Sequence, residues 1–180
     1  FASAVRATDE IRQARCMVNL ATIRVQLRKY TEAIEAFQTS LGLSKPGSKV
    51  WCIGLTNLGL LASELGDHEI AMLATQRAEE LLEEPALRGG AAYNCGIALT
   101  DLGRLDEAHA KLNSSRAHLR TTNDLALRVD CEAALALVIA KLGNPSGALR
   151  RIDKLAGVCR RNGLIASEAK TLNVQGDILY

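Results

Sequence analysis

A small residue returns along this chain at nearly constant spacing, and that register leaves few folds open. Ala21, Gly59, Gly96, Ala136 and Gly176 are separated by 38, 37, 40 and 40 residues. Six residues after this anchor stand Leu27, Leu65, Leu102 and Leu142, and a glycine follows the last three as Gly66, Gly103 and Gly143. Twelve residues after it stand Ala33, Ala71, Ala108 and Ala148. Columns held in step over periods of this length mark stacked supersecondary units, each unable to bury its apolar face alone. The stretch AYNCGIALTDLGRLDEAHAKL, residues 92–112, shows the unit most clearly: a helix, a glycine turn and a second helix.

The first complete unit predicts a helix over about 11–27, with Thr8 and Asp9 in the preceding turn. Leu20, Ile23 and Leu27 recur at spacings of three and four and, with Ile11, are expected to form its buried face. A second helix is expected from the N-cap Thr31, with Ala33, Ile34 and Phe37 inward, ending at Lys45, Pro46 and Gly47. Later helices are expected over about 50–65, 68–83, 86–102, 105–120 and 124–142. Another follows, with Asn144 as its cap and Pro145 in its first position, and ends at Asn162 and Gly163. Gly66 supplies a left-handed turn that a side chain resists, and Asp67 is placed to cap the helix after it. Leu65 and Leu102 are expected to pack between units, where burying one leucine is worth roughly 1.5 to 3 kcal/mol.

The segments NLGLLASELGDHEIA (57–71) and NCGIALTDLGRLDEA (94–108) resemble the tetratricopeptide repeat family. That family has a small residue midway along a first helix, glycine near the turn and alanine early in the second helix. The resemblance covers essentially the whole chain. It implies an all-α, right-handed superhelical solenoid of antiparallel helix pairs, with first helices lining the concave face and second helices outside. The units exceed the family's usual length of about 34 residues. They are similar to the longer-helix variety in bacterial regulators and peptide-binding scaffolds. The expected organisation is one array over 1–180 with repeats at about 11–48, 49–85, 86–122 and 123–162. Partial repeats at 1–8 and 163–180 suggest a fragment of a longer protein.

Hydrophobic residues are 48% of the chain, enough for a shared core, while aromatics are only 3%, so small side chains must let helices approach closely. Charge is banded: residues 1–61 carry a net +4, 62–107 a net −7 and 108–161 a net +6. Such banding either steers an oppositely banded partner or belongs to solvated outer faces. Cys16, Cys52, Cys95, Cys131 and Cys159 include no Cys-x-x-Cys pair and read as reduced, buried thiols rather than metal or redox sites. No run has membrane-spanning length and nothing near the start resembles a signal peptide, so no membrane partner is expected and the cytoplasm is the expected compartment. His68, His109 and His118 have no triad or metal spacing, and there is no glycine-rich phosphate loop. The chain is therefore expected to be no enzyme and to use no cofactor. Arg150, Arg151, Lys154, Arg160 and Arg161 crowd one second helix without interleaved aromatics, the composition of a solvated face, so nucleic acid is not an expected partner.

Binding chemistry concentrates beside the anchor. Two residues before it stand Asn19, Asn57 and Asn94, and seven residues further on stand Gln26, Glu64 and Asp101. Seven residues are close to two helical turns, so each pair shares a face, in two expected rows beside the core stripe. An asparagine amide both donates and accepts, as an extended peptide backbone requires. Either these amides grip a peptide main chain while Gln26, Glu64 and Asp101 select its side chains, or they bond neighbouring helix backbone. The resemblance implies the first, since groove binders of the family use asparagines in this column. The rows break in the fourth repeat, where Ala134 and Lys141 stand in their places, Lys141 tuning charge. Val174 follows in the fifth. The family's cationic carboxylate clamp is poorly matched: its column holds Arg15, then Ile53 and Gly90. The expected partner is a protein or peptide with basic residues opposite the acidic middle. The rival is a structural array that self-associates or contacts neighbouring domains of a larger regulator.

Overall fold

The computed structural model describes residues 2–180, with side chains from Thr8 onward. Among the described residues there are nine helices and no strand. They fall into two compact units, one ending at Glu83 and the other spanning Glu84–Tyr180. The first holds α1 (Ala2–Gln26), α2 (Tyr30–Leu43), α3 (Lys49–Glu64) and α4 (His68–Leu81). In it α1 packs on α2 and α3, and α3 packs on α2 and α4. The second holds α5 (Pro85–Asp101), α6 (Leu105–Leu119), α7 (Leu125–Lys141), α8 (Pro145–Asn162) and α9 (Ile165–Leu179). There α5 packs on α6 and α7, α6 on α7, and α7, α8 and α9 on one another. The fold is an all-α helical repeat built from helix pairs.

Within each pair the anchor is a crossing point. Four positions, twelve, sixteen, nineteen and twenty-three residues after it, turn inward as Ala33, Phe37 and Ser40 in α2 with Ser44 at its C-cap, and as Ala108, Leu112, Ser115 and Leu119 in α6. Their spacing of i, i+4, i+7 and i+11 is one helical stripe. The sixteenth position faces the anchor directly: a Cβ on Gly96 would lie 2.6 Å from Leu112 Cδ2, and one on Gly59 would lie 2.9 Å from Thr75 Cγ2. Ala21 and Phe37 share one core cluster, Ala136 and Ile152 another. Two buried hydroxyls bind the pairs further, Ser40 Oγ donating to the Ala14 carbonyl at 2.9 Å and Ser115 Oγ to the Gly89 carbonyl at 2.8 Å.

The turns between paired helices repeat one hydrogen-bond pattern. The Gly66 amide donates to the Ser63 carbonyl and the Asp67 amide to the Ala62 carbonyl, closing the end of α3 as a left-handed cap does. Gly103 and Gly143 repeat it with φ of 73° and 100°, and Gly163, between α8 and α9, does so at 66°. After α1 the same place is held by Arg28, at φ 58°. Asn144 caps α8, its Oδ1 accepting from the Gly147 amide at 2.9 Å, and Pro145 opens that helix as expected; Pro85 opens α5 in the same way.

Several expectations are corrected. No turn forms at Thr8 and Asp9: α1 runs through them, in a segment free of glycine and proline. Of the partial repeat expected at 1–8, Phe1 lies outside the described residues. The buried face of α1 is Ala14, Val18 and Ala21, whereas Ile11, Leu20, Ile23 and Leu27 are exposed. Small residues won that face because close helix crossing requires them. Leu65 is 46% exposed and Leu102 half-buried, because this column sits at helix C-caps rather than between units. Thr31 lies inside α2, whose N-cap position is Lys29, and Asp67 occupies its cap position without a side-chain cap bond.

Candidate functional site

All seven residues singled out above lie on first helices. In the first unit, Asn19 and Gln26 are on α1 and Asn57 and Glu64 on α3; in the second, Asn94 and Asp101 are on α5 and Lys141 on α7. Asn19 is exposed and Asn57 and Asn94 are half-buried. No described residue hydrogen-bonds any of these three side-chain amides. The internal role, bonding neighbouring helix backbone, is thus not taken up, and each amide keeps both its donors and its acceptor. Gln26, Glu64, Asp101 and Lys141 are the final residues of their helices and are exposed, about 10 Å along the axis from the asparagine positions.

In the first unit the packing of α1 on α3 leaves a hollow of about 380 Å³. Ile11, Arg15, Val18 and Asn19 line it from α1, and Lys49, Val50 and Ile53 from α3. Asn19 is the one residue of the expected rows that lines it. Arg15 and Ile53, the column that matches the family's carboxylate clamp poorly, meet in the same hollow. Its floor is aliphatic and its rim carries the cations Arg15 and Lys49.

The second unit adds residues that the sequence reading passed over. The column of Arg15, Ile53 and Gly90 continues to Asp130 and Lys170. Asp130 on α7 is only 8% exposed, and Lys170 on α9 donates to its Oδ2 at 2.5 Å, tying two first helices together. Its other oxygen, Oδ1, is buried and has no hydrogen-bond partner among the described residues. Beside it on α5, Tyr93 immediately precedes Asn94. Burial foremost, then the Asp130 carboxylate and the Cys131 sulfur, push the Tyr93 hydroxyl well above its ordinary range and keep it a donor. The signal was present: the column needed following for two more periods.

Among the described residues no helix is long and apolar enough to cross a membrane, and no group of His, Cys, Asp and Glu is arranged to hold a metal ion. Cys52, Cys95, Cys131 and Cys159 are buried and in no disulfide; Cys16, expected to be buried, is exposed on α1, whose inward stripe passes it by. The five α8 cations are exposed, and Arg160 Nε donates to Glu168 at 2.7 Å.

Residues 14–46 match the family model described as tetratricopeptide repeat. No curated protein sequence matches the chain. Solved structures do. A crystal structure of Rap protein complexed with competence and sporulation factor superposes with a TM-score of 0.78 at 18% identity. That match covers 94% of this chain and 52% of Rap, so the chain spans about half the length of that relative. A Podosopora anserina chain of "kinesin light chain nearly identical TPR-like repeats" gives a TM-score of 0.68 at 14% identity, covering 92% of this chain and 94% of that one. YrrB, described as a TPR protein with an unusual peptide-binding site, gives 0.60 at 14% identity, covering 98% and 91%. With its repeating anchor, its glycine turns and these matches, the chain has the helical-repeat fold of tetratricopeptide-like structures, and its residues 14–46 match the family's model.

Proposed function

We propose that this chain is a protein-interaction module that takes a peptide segment of a partner against its first helices, as part of a larger regulatory or scaffold protein in the cytoplasm. The observation that carries the reading is the unspent hydrogen-bonding capacity of Asn19, Asn57 and Asn94 on exposed or half-buried helix faces. An extended main chain offers the alternating donors and acceptors that such amides take. Gln26, Glu64 and Asp101 at the helix ends favour basic side chains, and Lys141 an acidic one. Rap was crystallised with a bound factor and YrrB is described by a peptide-binding site, which supports the same use of this fold. Binding, not catalysis, is the activity proposed.

The test is capture from native lysate by the wild-type chain and by an Asn57→Ala/Asn94→Ala variant of equal helicity. The reading requires a protein that the wild type retains and the variant loses, and that basic peptides displace better than acidic ones. Equal capture by both makes the asparagines structural. A second reading, self-association, is favoured by one observation: Ile11, Leu20 and Ile23 of α1, with Leu27 just after it, are 38% to 63% exposed. Sedimentation velocity separates the two, since self-association grows with chain concentration alone.

A further inference from the structure

The second unit contains a larger cleft on another face. Helices α6 and α8 both pack on α7 but not on each other, and the gap between them is a cavity of about 730 Å³. Leu125, Leu155 and Val158 give it an accessible aliphatic lining over the buried Leu119 and Val129. Three arginines, Arg116, Arg120 and Arg128, stand around it against one acid, Glu132. Arg116 lies 3.9 Å from Glu132, a long contact, and among the described residues neither Arg120 nor Arg128 has a side-chain partner. On α7, Arg128 and Glu132 each lie two residues from Asp130, about 200° around the helix from it. The cleft therefore opens on the side of α7 away from the Asp130–Lys170 pair.

We infer that this cleft is a second binding site, for an acidic peptide segment of a partner protein that carries an aliphatic side chain beside its carboxylates. The guanidinium groups of Arg120 and Arg128 offer paired donors in a planar fork that matches a carboxylate. Leu125, Leu155 and Val158, which are half-buried, receive the aliphatic side chain, and the volume falls within the range of ligand-binding cavities. A nucleic acid would bring phosphates but finds no aromatic surface among these residues on which bases stack.

The probe is a short fluorescein-labelled peptide of glutamate and leucine, blocked at both ends, titrated with the whole chain and read by anisotropy. Saturable binding that weakens with added salt is expected. Arg120→Glu/Arg128→Glu, checked for unchanged helicity, should lose at least about tenfold in affinity. Arg150→Glu/Arg151→Glu, which reverses the same charge on the exposed face of α8 outside the cleft, should stay within about twofold. No saturable binding, equal binding of a glutamine–leucine peptide, an equal loss in the α8 variant, or displacement by oligothymidylate ahead of unlabelled peptide would each overturn the assignment, the last in favour of nucleic acid.

Discussion

Where α1 crosses α2 the anchor is Ala21 and the ring of Phe37 belongs to the same core, whereas α5 meets α6 through Gly96 and Leu112. The two crossings trade one methyl group on the first helix against shape on the second. In both, a buried serine nineteen residues past the anchor donates to a carbonyl seven residues before it. The pairs diverge at the turn and at the surface. Arg28 takes the left-handed position that Gly103 fills in the other pair, and Leu20 and Ile23 are exposed where Cys95 and Ala98 are buried. The crossing is therefore what the repeat requires, while turn and outer face are free to drift.

The largest expected effect falls on the crossing that relies on bulk. Phe37→Ala removes a fully buried ring and should cost about 4 kcal/mol, read as a lower urea midpoint at unchanged helix content. Next is the crossing that relies on closeness: Gly96→Ala drives a methyl into Leu112 and should cost about 2 to 3 kcal/mol. Gly176→Ala is its control. A Cβ there meets nothing within 4 Å, and the helix should gain about 0.5 to 1 kcal/mol. If Gly96→Ala and Gly176→Ala shift stability alike, the anchor is not a contact-limited position and the comparison fails.

Much of the crossing was legible because its residues recur in kind: small anchor, alanine twelve later, glycine in the turn. The facing column was not, since Phe37, Thr75, Leu112 and Ile152 share burial but no chemistry. The face of α1 was misread for a related reason. Its aliphatic residues recur at helical spacings, but close crossing selected Ala14, Val18 and Ala21, and hydropathy does not record the space available. At the candidate site the asparagines were found by column and their lack of partners became visible only in three dimensions. Asp130 and Lys170 were hidden by opposite charge within one column, although that opposition is what lets neighbouring first helices pair there.

The turn gives a smaller effect of opposite sign. A non-glycine residue in left-handed geometry costs roughly 1 to 2 kcal/mol, part of which returns as lost freedom of the unfolded chain when glycine is absent. Arg28→Gly should therefore stabilise by about 0.5 to 1 kcal/mol, and Gly103→Arg should destabilise by a similar amount. Opposite shifts in urea midpoint are the expected result. Shifts of the same sign would mean that the two turns are not equivalent.

The smallest expected change in stability accompanies the widest difference in surface. Leu20 and Ile23 occupy the columns of Cys95 and Ala98, yet they are larger and stay 38% and 52% exposed. Their replacement removes little buried area, so Leu20→Lys/Ile23→Lys should shift unfolding by no more than about 0.5 kcal/mol. If α1 pairs with a second copy, the same change places two ammonium groups in an apolar contact. Sedimentation would then move toward the monomer although the urea midpoint stays in place. If the α1 face is instead open to a peptide, sedimentation is unchanged and the effect passes to ligand affinity through Asn19, the next residue along. A large loss of stability would fit neither, because it would mean that Leu20 and Ile23 belong to the core and that the two pairs do not differ at the surface.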